Sequence, residues 1–295
     1  MLTTITHEAL SASIDSAGAQ LMSLSLHGDE FLWQRDPAYW AKTAPNLFPN
    51  AGAPGFDVLR SAVGECRLPK HGFARDYEHE LIRTAPDGTS VTFELTDRAE
   101  TREIFPYCFS LQTTYELKGA SSLAQTFVVE NRSDTPMPCS VGGHPAFNVP
   151  IPGDGGKAFE DYEIAFEQPW SATSPKMIEG GIMSYADPFE VLTDSDALPL
   201  TRPLFAYDTV MLADVPKNTV TLKSRQGGRA IRMEFPGFGF IGIWSMAPDA
   251  PFVALEPWMT HAALDTDDDV LEHREGMMVL NPDEKKSVTF TITIV

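Results

Sequence analysis

The dominant pattern along the chain is an alternation of apolar and polar residues with a period of two. It is clearest in "SVTFTITIV" (287–295), where valine, phenylalanine and isoleucines fall on one face and threonines on the other. Such alternation is typical of a strand with one buried face. "FVALEPW" (252–258) is more uniformly apolar, which indicates a strand covered on both faces. Further strands are predicted at 90–96, 110–117, 162–167, 219–224, 230–235 and 240–246.

Turn-forming residues separate these segments, which supports an all-β chain. The turn signals are Asp87-Gly88, Lys118-Gly119, Asn131–Asp134, Gly227-Gly228 and Pro236-Gly237. No long amphipathic helix is indicated, and a short helical turn is predicted after Asp36. The stretch 150–205 is rich in proline, glycine and acidic residues, and we interpret it as excursions from the sheets. The pattern predicts a large antiparallel β-sandwich that forms a single domain over residues 1–295.

The charge of the chain bears on its partners. With 41 acidic and 22 basic residues the net charge is −19, so we expect neither nucleic acid nor a membrane surface as a partner. Three cysteines without a CxxC pair argue against a disulfide framework and a zinc site. The amino terminus lacks a signal-peptide pattern, and no apolar run reaches the length of a membrane span. These features favour a cytoplasmic protein. We expect a monomer or a homodimer.

Two of the seven histidines lie in glycine-flanked segments: His71 in "LPKHGFARD" (68–76) and His144 in "GGHPAFN" (142–148). Glycine permits close backbone approach, and the aromatic residue that follows can form a platform beneath a ligand. A loop histidine is a candidate acid or base because its pKa lies near neutrality. Alternatively, each ring only holds a turn through hydrogen bonds.

Three charged residues are further candidates. Glu256, in "ALEPWM", comes at the end of an apolar strand, where burial would raise the pKa of its carboxyl group and make it a stronger base. Asp208 lies inside the apolar run "AYDTVML". Arg75 could hold an oxygen-rich ligand through its planar guanidinium group. The alternative for each is an ion pair with a neighbouring residue.

A metal site is not indicated by the sequence. The acidic run "TDDDVLEHREG" (266–276) lacks the spaced ligands and the turn glycine of a calcium-binding EF-hand loop, so a solvated loop is expected. His261 and His273 show no metal-ligand spacing. We therefore expect neither a metal nor a cofactor.

Four motifs, in this order, resemble those of the aldose 1-epimerases (galactose mutarotase-like proteins), most closely the LacX-like branch. They are "DPAYWAKTAPNLFP" (36–49), "LPKHGFARD", "VGGHPAFN" and "LEPW", and the closing "EGMMVLNPDEKKSVTFTITI" also looks like the end of that branch. The resemblance covers nearly the whole chain. It implies the large β-sandwich of that family, the supersandwich, and interconversion of the α and β anomers of a free aldose.

The resemblance also implies roles for individual residues. His144 would protonate the ring oxygen, Glu256 would take the proton of the C1 hydroxyl, and His71 would hydrogen-bond the ring oxygen or neighbouring hydroxyls. Asp208 matches a residue that contacts sugar hydroxyls, and Arg75 lies where the phosphosugar branch uses a basic side chain. Anomerisation needs one acid and one base, which we expect on opposite sides of the sugar, and no metal, nucleotide or redox cofactor.

One departure from the family pattern concerns the substrate. Many relatives carry a glycine–arginine pair after "LFP", whereas "NAGAPGFDVLR" has no arginine before Arg60. Either Arg60, Lys70 or Arg75 takes that role, or the substrate differs. The acidity of the chain favours a neutral aldose monosaccharide over a phosphorylated hexose. A non-catalytic sugar-binding or sensor protein remains an alternative, as does a hydrolase or lyase that uses Glu256 and Asp208.

Overall fold

Strands dominate the secondary structure of the computed structural model, which describes residues 1–246 and 248–295. In chain order the strands are β1 (Leu2–His7), β2 (Leu10–Asp15), β3 (Gln20–Leu26), β4 (Asp29–Glu30), β5 (Asn46–Leu47), β6 (Leu59–Ser61), β7 (Gly64–Cys66), β8 (Glu80–Thr84), β9 (Ser90–Thr96), β10 (Phe109–Lys118), β11 (Ser122–Asn131), β12 (Met137–Cys139), β13 (Gly142–Gly143), β14 (Ala146–Asn148), β15 (Tyr162–Met177), β16 (Met183–Pro199), β17 (Val210–Ala213), β18 (Thr219–Ser224), β19 (Ala230–Glu234), β20 (Phe240–Trp244), β21 (Phe252–Trp258), β22 (Met278–Leu280) and β23 (Lys285–Ile294).

Helical structure is sparse in the described part of the chain. There is an α-helix, α1 (Ala99–Ile104), and there are short 3-10 turns at Ala74–Asp76, Phe159–Asp161, Glu179–Gly181, Arg202–Phe205, Pro216–Asn218 and Leu271–His273. No helix within the described ranges has the length and apolar character needed to cross a membrane. The predicted all-β class is confirmed.

Within residues 1–246 and 248–295 the strands form two large antiparallel sheets and three smaller ones. The largest has nine strands in the order β16-β15-β18-β19-β23-β11-β10-β9-β8. A six-stranded sheet runs β17-β20-β21-β13-β5, and β14 also pairs with β21. The amino-terminal strands β1 to β4 form a four-stranded sheet, and β12-β22 and β6-β7 are two-stranded. This is the large sandwich that the alternating pattern predicted.

The predicted strands agree closely with the observed ones. In β23 the residues Val288, Phe290, Ile292 and Ile294 are buried on one face, as the alternation requires. All seven residues of β21 are buried, which confirms a strand covered on both faces. The predicted turn after Asp36 is a single turn, closed by a 3.0 Å hydrogen bond from the Trp40 N–H to the Asp36 carbonyl oxygen.

The segment 150–205 differs from the expectation of excursions, because most of it belongs to the nine-stranded sheet. Strands β15 and β16, with 16 and 17 residues, form a long hairpin at one edge. β15 pairs with β18 only over its first five residues, from Tyr162 to Phe166. Beyond Phe166 the pairing with β18 ends, and residues 167–173 are exposed or half-buried. This part of the strand therefore lacks the regular alternation of a strand with one buried face, which explains its polar composition.

Close backbone packing joins the six-stranded sheet to the nine-stranded one. A Cβ atom at Gly143 would lie 2.8 Å from two carbons of the buried Phe290 ring of β23. In addition, the buried Asn46 side chain of β5 donates hydrogen bonds to the carbonyl oxygens of Gly18 and Ala19 and accepts one of 2.6 Å from Gln125 of β11. These contacts fix the positions of β5 and β13. His144 directly follows β13, and the segment after β5 contacts His71 through Gly52.

Candidate active site

An open cleft of about 270 Å³ brings together all five residues singled out from the sequence. Its volume is close to the lower end of the ~300–1,000 Å³ typical of small-molecule sites. The lining includes His71, His144, Glu256, Arg75 and Asp208. These residues come from distant parts of the chain, so the cleft exists only once the sheets have packed.

His144 follows β13 directly, and the two glycines of β13 determine where its side chain lies. Added Cβ atoms would meet Trp258 at 3.0 Å from Gly142 and the Phe290 ring at 2.8 Å from Gly143. Glycine is therefore needed for close approach of the backbone, not for backbone flexibility. The imidazole of His144 stacks on the Trp40 indole, with ring centroids 4.8 Å apart and an interplanar angle of 25°.

Glu256 lies in the middle of the six-stranded sheet, on β21. It pairs with Gly242 of β20, and a Cβ atom at Gly242 would lie 3.3 Å from Glu256 Cβ and 3.6 Å from its carboxyl carbon. Glycine at that position leaves room for the carboxyl group. The Glu256 side chain is 1% exposed.

The carboxyl group of Glu256 lies directly beside His144. Glu256 Oε2 is 3.0 Å from His144 Nε2, and both side chains are almost completely buried. The angles do not satisfy a hydrogen bond, and within the described residues neither Glu256 oxygen nor His144 Nδ1 has a hydrogen-bond partner. We expected an acid and a base on opposite sides of the sugar; the structure instead places the two groups side by side. Unpaired buried polar atoms are costly, and their position in a cleft lined by polar residues is typical of a binding site.

Burial shifts the pKa values of this pair in opposite directions. It raises the pKa of Glu256 well above its usual range, and the negative charge of Asp208 raises it further. Burial also lowers the pKa of His144 far below its usual range, and the positive charges of Arg75 and Lys70 act in the same direction. The two shifts together favour a single proton shared by the pair, with Glu256 protonated beside a neutral His144.

A backbone contact determines the tautomer of His71. The Gly52 backbone N–H donates a 3.1 Å hydrogen bond to the ring nitrogen Nδ1 of His71. The His71 backbone N–H donates one of 2.9 Å to the Gly52 carbonyl oxygen. Since Nδ1 accepts, the neutral ring carries its proton on Nε2. Burial lowers the pKa of His71 well below its usual range, and the adjacent His144 lowers it further. His71 is thus a neutral hydrogen-bond donor in the cleft.

Arg75 and Asp208, the other two candidates from the sequence, also line the cleft. Arg75 belongs to the 3-10 turn Ala74–Asp76 and donates a 2.8 Å hydrogen bond to the Lys70 carbonyl oxygen. Its Nε is buried and, within the described residues, has no hydrogen-bond partner. Asp208 is exposed at the cleft and has a left-handed backbone, with φ +71°. The carboxyl group of Asp208 lies near enough to raise the pKa of Glu256.

Several lining residues had no role in the sequence analysis. Trp40 and Lys42 come from the motif 36–49, and Trp244 and Trp258 from β20 and β21. The three tryptophans surround the two histidines: Trp244 lies 5.8 Å from His144 and Trp258 lies 5.3 Å from His71, between ring centroids. The stretch "AYWAK", in which two aromatic residues precede a lysine, could have indicated a binding segment. No local sequence pattern, however, shows that this turn faces the cleft.

The structure removes Arg60 from the candidates for the arginine missing after "LFP". Arg60 is exposed, does not line the cleft, and pairs with Asp269 of the acidic run through a 2.7 Å hydrogen bond from Nε. Lys70 and Arg75, the other two candidates, do line the cleft. The acidic run 266–276 itself is a loop and a 3-10 turn; Asp268 accepts hydrogen bonds from Val270 N–H and contacts His273.

Comparisons with known proteins identify the family of this chain. The family profile described as aldose 1-epimerase matches residues 1–292. The chain is 32% identical over 300 residues to the chromosomal protein LacX of Lactococcus lactis subsp. lactis, covering 98% of this chain and 97% of that protein.

Solved structures of galactose mutarotase-like proteins are also similar to this chain. A galactose mutarotase related enzyme from Lactobacillus acidophilus superposes with a TM-score of 0.92 at 30% identity, covering 100% of this chain and 97% of the other. A galactose mutarotase-like protein from Lactobacillus casei ATCC 334 gives a TM-score of 0.84 at 28% identity, with both chains fully covered. The chain belongs to the aldose 1-epimerase family.

Proposed function

We propose that this protein is a cofactor-free aldose 1-epimerase that interconverts the α and β anomers of an aldose. The observation that carries the proposal is the buried pair His144–Glu256, with its reactive atoms 3.0 Å apart. The C1 hydroxyl and the ring oxygen of a pyranose are bonded to the same carbon. An acid and a base that act on these two oxygens must therefore lie close together, as His144 and Glu256 do.

Ring opening starts from the form in which His144 carries the shared proton and Glu256 is ionised. Glu256 removes the proton of the C1 hydroxyl, and the C1–O1 bond becomes a carbonyl double bond. The bond between C1 and the ring oxygen breaks, its electron pair stays on that oxygen, and His144 supplies the proton. The products are an open-chain aldehyde, a protonated Glu256 and a neutral His144, so the one proton of the pair is conserved.

Ring closure restores the starting form. Rotation about the C1–C2 bond turns the other face of the aldehyde toward the C5 hydroxyl. His144 then takes the proton of that hydroxyl while Glu256 returns its proton to O1, and the opposite anomer forms. General acid and general base groups each contribute typically ~10²–10⁴-fold.

His71 and Asp208 position the sugar for these transfers. The Nε2–H of His71 can donate to the ring oxygen, because the hydrogen bond from Gly52 occupies Nδ1. Such a donor stabilises the charge that develops on this oxygen as the bond breaks. Asp208, which also lines the cleft, can accept hydrogen bonds from other hydroxyls of the sugar.

The proposal is tested by measuring magnetisation exchange between anomers by NMR, or optical rotation after dissolving α-glucose and α-galactose. Wild type is expected to accelerate exchange for at least one sugar, and Glu256→Gln is expected to lose ~10²–10⁴-fold of that acceleration. Saturable sugar binding by calorimetry without any acceleration would instead support a non-catalytic sugar-binding protein. Equal acceleration by both proteins would refute the assigned roles.

A further inference from the structure

Trp258 carries a buried hydrogen-bond donor that the proton transfers described above do not use. The residue lines the cleft and is 2% exposed. Its indole nitrogen Nε1 has no hydrogen-bond partner within residues 1–246 and 248–295. An indole N–H can only donate, and a buried donor without an acceptor is costly. Because most buried polar groups in native proteins are paired, this N–H is a candidate for a role in the reaction.

Glu256 supplies acceptors on the same face of β21. Side chains two residues apart on a strand point to the same side of the sheet, so Glu256 and Trp258 face the cleft together. Both carboxyl oxygens of Glu256 also lack a hydrogen-bond partner in the part of the chain that the structure describes. The strand therefore presents an unpaired donor and two unpaired acceptors to the same cleft.

The donor and the carboxyl group lie close enough to interact. Burial and the charge of Asp208 raise the pKa of Glu256. The charge of Lys70 and the hydrogen-bond donor of Trp258 lower that pKa. Since Nε1–H is the sole donor of a tryptophan side chain, the indole N–H points toward the carboxyl group. The distance and angles nevertheless fall short of a formed hydrogen bond.

The surrounding residues hold the indole in this orientation. A Cβ atom at Gly142 would lie 3.0 Å from Cδ1 of Trp258, the carbon bonded to Nε1. His71 packs against the indole edge to face, with ring centroids 5.3 Å apart and an interplanar angle of 74°. A donor that is fixed in this way needs little rearrangement when negative charge develops on the carboxyl group.

The strength of this contact depends on the charge of Glu256. A hydrogen bond to an ionised acceptor is roughly twice as strong as one between neutral groups. Ring opening starts from ionised Glu256 and protonated His144, whereas the pKa shifts of the pair favour the form with protonated Glu256. A donor that interacts more strongly with the carboxylate therefore stabilises the reactive form relative to the favoured one. Such a difference raises kcat and leaves substrate binding nearly unchanged.

We propose that the indole N–H of Trp258 donates a hydrogen bond to ionised Glu256 and thereby stabilises the form of the pair that opens the sugar ring. Trp258 is a positioning residue in this reaction, because it acts on the sugar through Glu256. The inference rests on the proposed function for its effect on the rate, whereas the contact itself can be measured without a substrate.

The first test removes the N–H and keeps the shape of the side chain. In Trp258→3-benzothienylalanine a sulfur atom replaces the N–H in a ring of nearly the same size. In NMR anomer exchange with glucose and galactose, kcat should fall about tenfold to hundredfold, the worth of a hydrogen bond to a charged group, while KM stays nearly constant. An unchanged kcat overturns the inference, as does a raised KM at constant kcat, which would mean that the N–H binds the sugar directly.

A matched control is available at Trp170. Its Nε1 is also buried without a partner within the described residues, it packs against Phe166, and it lies outside the cleft lining. The same replacement there should leave kcat and KM unchanged. A loss of similar size at both positions, or a change of fold by circular dichroism, would assign the effect to packing.

The pH dependence separates the proposed role from a general loss of activity. The replacement retains His144, Asp208 and Lys70, the titratable and charged groups that act on Glu256. Below the raised pKa of Glu256, kcat/KM should show the full loss. Above that pKa the favoured form and the reactive form both contain ionised Glu256, so the N–H stabilises them equally and the rates of the two proteins should converge. A loss of equal size on both sides of the alkaline fall contradicts the inference.

A measurement of stability tests the contact without catalysis. Removal of the donor should raise the pKa of Glu256 further, so the stability lost above pH 4.5 continues to fall to a higher pH than in wild type. In urea denaturation, the unfolding equilibrium constant of the Trp258 variant relative to wild type should be at least about tenfold larger above the raised pKa than at pH 4. If no sugar is accelerated, the proposed function fails, while this comparison still decides the contact. A ratio that does not change with pH overturns it.

Discussion

Replacing Glu256 with glutamine should stabilise the fold above pH 4.5 while it removes activity. Glutamine has nearly the shape of a protonated glutamic acid, the form that the raised pKa of Glu256 favours. The Glu256 side chain is 1% exposed, and its Oε2 lies 3.0 Å from His144 Nε2. The amide therefore needs no new space, and it can exchange a hydrogen bond with that nitrogen.

The size of the effect follows from the raised pKa of Glu256. Below pH 4.5 the carboxyl group is protonated in both the folded and the unfolded chain, so it makes no difference to the pH dependence. Above pH 4.5 the unfolded chain loses this proton while the folded one retains it. The stability of wild type then falls by up to ~1.4 kcal/mol per pH unit, until the pH reaches the raised pKa of the folded state. The glutamine variant has no such loss.

Urea denaturation of both proteins from pH 4 to pH 9 provides the assay. The difference in unfolding free energy should be smallest at pH 4 and grow in favour of Glu256→Gln as the pH rises, then level off. Glu103→Gln, at an exposed position of α1, should follow wild type. A difference that does not change with pH, or a variant that loses stability at alkaline pH, would refute the reasoning from burial.

Three further outcomes follow from the site. Trp40→Leu should lower kcat/KM by about tenfold, and Trp40→Phe should retain most of it, because an aromatic pair with His144 is worth ~0.5–1.5 kcal/mol beyond its buried area. Gly143→Ala should lower the unfolding free energy by ~1–3 kcal/mol through overpacking, whereas Gly155→Ala, where nothing lies within 4 Å, should be tolerated by the same denaturation measurement. A pH–rate profile should show kcat/KM falling as the pH rises through the raised pKa of Glu256, since the pair then loses its shared proton.

The strands could be predicted where one face is buried and the other solvated. β23 and β10 show this alternation in their burial as well as in their sequence. The hairpin of β15 and β16 could not, because few of its residues beyond Phe166 are buried and its polar sequence resembles a loop. The order of strands in the sheets was also beyond local patterns. β23 pairs with β11 and β19, which lie far apart in the sequence.

The sequence predicted which residues belong to the candidate site better than it predicted how they are arranged. His71, His144 and Glu256 stood out because glycine or proline flanks each of them. That His144 and Glu256 would be adjacent depends on the pairing of β13 and β14 with β21, which no local pattern encodes. Lys42 could not be assigned, because an isolated lysine in a turn is ordinarily solvated.

The electrostatics of the cleft determine which form of the pair precedes ring opening. Burial and the charges of Arg75, Lys70 and Lys42 lower the pKa of His144, and burial raises the pKa of Glu256, so the proton of the pair favours Glu256. Ring opening requires that this proton crosses 3.0 Å to His144, because the form with an ionised Glu256 starts the reaction. The C1 hydroxyl of a bound sugar favours this transfer, since a hydrogen bond donated to the charged form of a carboxyl group lowers its pKa.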